Sequence, residues 1–155
     1  MTDVTIRDEP GFTVAAMPHQ GPYYEIGRTY GRLAARAAET GLAADFGPGI
    51  AFYYDDPSSV PPEELRSHAG CTVPADRALP EGFDRIEVAH GRIAVAVHQG
   101  PYDGLPAAWD AVYGTWLPAS GEEAADRAPY ERYLNDPMTT APQDLLTEIC
   151  IPLRG

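Results

Sequence analysis

His19-Gln20-Gly21-Pro22-Tyr23 recurs as His98-Gln99-Gly100-Pro101-Tyr102, an offset of 79 residues. Outward from this pentapeptide, other pairs keep nearly the same spacing. Tyr53-x-x-Asp56-Pro57 returns as Tyr133-x-x-Asp136-Pro137, and Pro62-x-x-Leu65 as Pro142-x-x-Leu145, each at offset 80. Cys71 returns as Cys150 at offset 79. Four matches in one order indicate a duplicated half-domain, with repeat 1 at about residues 4–76 and repeat 2 at about 83–153. Half of a 155-residue chain has little core of its own, so the halves are expected to share one domain.

Each half reads strand, strand, helix, strand, strand. In the first, Val4 to Asp8 and Phe12 to Met17 are strands around a Pro10-Gly11 turn. Tyr23 to Glu39 reads as a helix whose buried face holds Ile26, Tyr30, Leu33, Ala34 and Ala37, with Gly41 as its cap. Ile50 to Tyr54 and Gly70 to Val73 are the next strands. In the second half, strands are expected at Asp84 to Val88, Ile93 to Val97, Tyr130 to Leu134 and Leu145 to Leu153. Leu105 to Leu117 is a helix facing inward with Leu105, Trp109, Val112, Tyr113 and Trp116, and Pro118 should stop it. The fold class is α+β: a tandem pseudo-twofold repeat of two ββαββ-like modules, an antiparallel sheet with two helices on one face, and a ligand cleft at the seam.

A net charge of −12 argues against direct nucleic-acid binding, which needs clustered basic residues, and favours cationic ligands. No apolar run reaches membrane length. The start, Met1-Thr2-Asp3, lacks the features of a secretory signal, so a cytoplasmic location with free thiols is expected. Two distant cysteines without a CxxC carry no metal or redox motif, and no metal or cofactor is expected.

Differences between the halves point to function. Tyr30, Leu33, Ala34 and Ala37 are matched by Trp109, Val112, Tyr113 and Trp116, so the second helix carries bulk suited to lining a pocket. In the last strand, Ile149 and Ile151 alternate with Leu146, Glu148 and Cys150. The isoleucines fit the core, which puts Glu148 on the opposite, ligand-accessible face. At offset 79 it answers to Ala69, so the acid is not repeated. An unpaired carboxylate there is costly to desolvate, which marks Glu148 as a candidate site residue. His19 and His98, repeated with identical neighbours, are expected to brace a loop, and Cys71 and Cys150 to be small core residues.

His-x-Gly-Pro-Tyr before a helix, Tyr133-Leu134-Asn135-Asp136-Pro137, and the ending Leu145 to Leu153 resemble the GyrI-like family over about Val4 to Leu153. This is a small-molecule-binding domain found alone in gyrase-inhibitory proteins and as the effector domain of multidrug regulators. The resemblance implies a cleft in which Glu148 meets lipophilic cations while Tyr133, Tyr53, Trp109, Tyr113 and Trp116 stack on flat rings. Aromatic walls and a carboxylate in low dielectric suit such ligands physically.

The sequence carries no DNA-reading module, so a standalone binding protein for hydrophobic, cationic or planar aromatic compounds is expected. The alternatives are a hydrolase of cyclopropane-bearing DNA alkylators, with Glu148 as base and Tyr133 orienting, and an acidic modulator of DNA gyrase. For a topoisomerase partner, Gly121-Glu122-Glu123 would be the contact. Enzyme activity and oligomeric state are left open by the sequence.

Overall fold

The computed structural model describes residues 3–155. Its strands are β1 (Val4–Glu9), β2 (Phe12–Gln20), β3 (Gly49–Tyr53), β4 (Arg66–Val73), β5 (Asp84–Val88), β6 (Gly91–Gln99), β7 (Tyr130–Tyr133) and β8 (Leu146–Pro152). The helices are α1 (Gly27–Thr40), α2 (Leu105–Ala111) and α3 (Leu117–Ser120). Strands pair antiparallel throughout the assigned ladders, and the class is α+β.

The chain forms two compact units. One is Gly11–Ala89; the other combines Met1–Pro10 with His90–Gly155. The first ten residues thus group with the second half of the chain. The first strand does not fold back on β2 across Pro10-Gly11. β1 pairs with β6, from Val4↔Ala96 to Glu9↔Gly91, while β5 pairs with β2. Strand alternation says which face a residue occupies, not which edge the strand joins. The charges on β1 supply the reason: Arg7 and Glu9 find Glu148 and Arg132 there.

In the Gly11–Ala89 unit the strand order is β3-β4-β2-β5. Ala15 and Val73 pack with Ala37 and Leu42 beneath α1. α1 ends at Gly41, whose φ of 79° needs no Cβ to avoid, as expected. Its buried positions are Thr29, Leu33 and Ala37; Ala34 is exposed. Thr29 was not expected inside. It is accommodated because its hydroxyl bonds the His19 ring at 2.8 Å.

In the other unit the order is β1-β6-β8-β7. Ala94, Ala96, Ile149 and Ile151 meet Leu105 and Val112 from the helix, so the isoleucines of β8 face the core as their spacing predicts. The second helix does not stop at Pro118. Val112–Trp116 winds as a π segment and α3 continues to Ser120. Pro118 has no N–H for the usual bond one turn back, and widening the turn removes the need for it.

The repeated pentapeptide does the same work in both units. His19 Nε2 and His98 Nε2 each lie 3.1 Å from the carbonyl of the following proline, Pro22 and Pro101. Gly21 and Gly100 donate their N–H to Leu65 and Leu145 carbonyls at 2.8 and 2.9 Å. Their φ values of 125° and 132° are open to glycine and strained for other residues. The histidines therefore brace a loop, as their duplication suggested.

The cysteines are less alike. Cys71 pairs across the ladder with Ala15, on the α1 side; Cys150 pairs with Val95, on the face away from the helix. Burial pushes both thiols up to about 12. Alkylation of the folded protein at pH 8 is therefore expected to run roughly a thousandfold slower than that of a peptide thiol. Thiol-reagent kinetics check this; peptide-like rates at both cysteines would refute it.

Candidate functional site

The candidate residues separate by strand phase. In β8, Glu148 does lie on the face away from the helix, opposite Val97 and Arg132. It is buried, 7% exposed, and its carboxylate is engaged by two arginines. Arg132 Nη1 donates to Glu148 Oε1 at 2.9 Å, and Arg7 Nη2 reaches both carboxylate oxygens at 3.3 and 3.4 Å. Arg132 also bonds Glu9, which Arg7 meets at 3.4 Å. The sheet of this unit curls enough for β1 to touch β7, although β6 and β8 stand between them. Burial works to lower the Arg132 pKa, but the Glu148 hydrogen bond and the neighbouring anions hold it above the ordinary value. The cost of a buried carboxylate at Glu148 is thus offset by two guanidinium groups.

Three of the predicted aromatics, Trp109, Tyr113 and Tyr133, gather on the other face, around a different acid. Glu131 pairs across the ladder with Ile149, so it points to the helix side and is 3% exposed. Trp109 Nε1–H donates to Glu131 Oε2 at 2.6 Å. The Tyr133 hydroxyl donates to Oε1 at 2.7 Å. The Tyr102 ring lies 5.5 Å from that of Tyr133, and Tyr113 stacks on Trp109 at 5.8 Å with 14° between planes. Trp116 is half-buried against the core beside Leu105 and Val112. Tyr113 is partly exposed, and burial of its hydroxyl region pushes its pKa up to about 12. The π segment carries both Tyr113 and Trp116; such segments change which way helix side chains point and are frequent at functional sites.

The structure therefore brings Trp109, Tyr113 and Tyr133 together, and it places Glu148 elsewhere. Tyr53 belongs to the other unit, where its ring meets Tyr23 edge-on at 4.7 Å. Glu131 is the residue the sequence reading missed, yet a signal for it exists. The ladders show that the last strands match at offset 80: Val97 pairs with Glu148 as Pro18 pairs with His68. At that offset Glu131 answers to Ala51 and Glu148 to His68. The unrepeated acid facing an alanine is Glu131.

The acids of Gly121-Glu122-Glu123 are paired, Glu122 with Arg92 and Glu123 with Arg154. A hollow of about 240 Å³ is lined by Asp3, Ala96, Val97, His98, Gln99, Ala108 and Ile149; it includes neither Glu131 nor Glu148. Among the described residues no cluster of metal-ligating side chains occurs, and no helix is long and apolar enough to cross a membrane.

A buried carboxylate bonded to an indole and a phenol thus stands on an α+β scaffold. The chain belongs to the GyrI-like small molecule binding domain family, which it matches over residues 2–154. It is 33% identical over 141 residues to a DNA gyrase inhibitor of Serratia proteamaculans, covering 86% of this chain and 87% of that one. Its fold is similar to the EcmrR C-terminal domain, at TM-score 0.79 and 15% identity over 99% of this chain and 98% of the other. It is also similar to a hydrolase from Listeria innocua (TM-score 0.69, 13% identity, 98% and 92% covered). A fourth likeness is to SAV2435 bound to tetraphenylphosphonium (TM-score 0.66, 13% identity, 99% and 94% covered).

Proposed function

We propose that this protein binds hydrophobic cations and planar aromatic compounds at Glu131, with Trp109, Tyr113, Tyr133 and Tyr102 as the ring surfaces. Glu131 takes the role that the sequence reading gave to Glu148. The observation that carries this is the Trp109–Glu131–Tyr133 hydrogen-bonded set, which couples one carboxylate to an indole and a phenol. A cation entering between these rings displaces the Tyr133 hydroxyl from the carboxylate. It gains the carboxylate's charge and the faces of the aromatic rings. The stacked pair Trp109–Tyr113 offers a parallel surface for a flat ligand. A fold neighbour bound to tetraphenylphosphonium and a net charge of −12 both support a cationic ligand.

Titration with tetraphenylphosphonium, read by tryptophan fluorescence, tests this. Wild type should show saturable quenching. Glu131→Gln should weaken binding by about tenfold or more, the equivalent of at least ~1.4 kcal/mol. Glu148→Gln should leave the affinity within about twofold, because that carboxylate already answers to Arg132 and Arg7. The reverse ranking would return the site to Glu148.

Hydrolysis of a cyclopropane-bearing alkylator is the second reading, favoured by one contact. A phenol donating to a buried carboxylate, as Tyr133 does to Glu131, is an arrangement able to hold and deprotonate a water. A water adduct formed catalytically by wild type and absent with Glu131→Gln would establish it; binding without product would leave the receptor reading in place.

A further inference from the structure

The position that Glu148 holds in one unit is held in the other by His68. His68 lies in β4 on the face away from α1, paired across the ladders with Pro18 and Phe52. Its two ring nitrogens are both engaged. Nε2 lies 2.9 Å from Asp84 Oδ2, at the start of β5. Nδ1 lies 2.8 Å from the hydroxyl of Tyr54, which follows β3 directly. In the neutral imidazole, Asp84 accepting at Nε2 puts the proton there and leaves the Nδ1 lone pair for the Tyr54 hydroxyl. Tyr54 therefore donates its O–H to His68. Its ring stands edge-on to the imidazole, and the residue is 40% exposed.

We propose that Tyr54, His68 and Asp84 form a second, reactive site in which the Tyr54 hydroxyl is a nucleophile toward small activated aryl esters. A nucleophile bonded to a base, with the base oriented by a third group, is the arrangement that activates serine and cysteine hydrolases; here the acceptor is a phenol. The step balances without any further reactant. The Tyr54 oxygen attacks the acyl carbon, and its proton passes to His68 Nδ1. Asp84 stabilises the imidazolium at Nε2. The bond to the aryl oxygen breaks, and the leaving aryloxide takes the proton from Nδ1. Water then hydrolyses the acyl-tyrosine and restores the phenol.

Burial and the Asp84 charge raise the Tyr54 pKa to about 12, while Arg66 acts to lower it. The resting group is therefore a phenol, and the His68 base is needed in the step itself. All three residues belong to the Gly11–Ala89 unit, so this site stands or falls independently of Glu131.

The chain has no lysine, so an acetyl label is shared out among tyrosine, histidine, cysteine and the N-terminal amine, and peptide mass assigns it. The probe is p-nitrophenyl acetate, with p-nitrophenolate release and peptide mass as readouts. The expected result is a burst of one equivalent and a single acetyl group on Tyr54. Tyr54→Phe should abolish the burst. His68→Gln, which keeps the size and removes the base, should slow it by roughly a hundredfold. In Asp84→Asn the 15N shifts of His68 should report mixed tautomers in place of one, the mark of a lost orienting partner. Acetylation of Tyr54 no faster than of the other tyrosines would overturn the proposal. So would an unchanged rate in His68→Gln, label confined to other groups, or a His68 tautomer indifferent to Asp84→Asn.

Discussion

Arg132→Ala is expected to destabilise the fold by about 3–5 kcal/mol, the cost typical of removing one partner of a buried ion pair. Arg132 sits between Glu9 and Glu148, and the side chains of all three are nearly buried. Its loss leaves two carboxylates facing each other in low dielectric. Arg7 touches both but is far more exposed, so its charge is better screened and cannot replace the missing one. Arg132→Met with Glu148→Gln should cost less than Arg132→Ala alone, because the double change removes one uncompensated anion along with the cation. Urea unfolding of the three proteins decides it. A loss below about 1 kcal/mol in Arg132→Ala would mean the cluster behaves as an ordinary surface network.

That cluster also shows where sequence reasoning stops. Strand alternation placed Glu148 correctly on the face away from the helix, because side-chain direction follows from spacing alone. Whether that face was open depended on β1, and β1 joins an edge that no local pattern names. Once β1 pairs with β6, Arg7 and Glu9 arrive over Glu148, and a lone acid becomes one corner of a paired set. The charge of the residue was legible; its partners, 16 and 141 positions away, were not.

The loops were legible for the opposite reason. His19 and His98 bond carbonyls three residues ahead, and such local bonds repeat wherever the pentapeptide repeats. The π segment was hidden because Leu105 to Leu117 has a regular helical pattern up to Pro118. A proline normally ends such a helix, and only packing of the residues beyond it shows that the turn widens. Glu131 was within reach of the sequence. Comparing the halves at offset 80, the spacing already shown by Tyr-x-x-Asp-Pro, sets it against Ala51.

Trp109→Ala is expected to cost about 3–5 kcal/mol and Trp109→Phe roughly 1.5–3 kcal/mol, and the difference separates two contributions. Alanine removes the ring that packs beside Leu105, Val112 and Ile149 and that Tyr113 stacks upon. Phenylalanine keeps most of that packing and removes one atom that matters, the Nε1–H donor to Glu131 at 2.6 Å. A hydrogen bond to a buried carboxylate is worth more than a neutral one, so the phenylalanine variant should still fall measurably below wild type. The same variant reports on function. If the ligand sits at Glu131, tetraphenylphosphonium should no longer quench fluorescence in Trp109→Phe, where only Trp116 remains to emit, while Trp116→Phe should keep the signal. Stability equal to wild type in Trp109→Phe would show that Glu131 does not depend on the indole. Quenching that follows Trp116 would place the ligand on the far side of the π segment, away from the carboxylate.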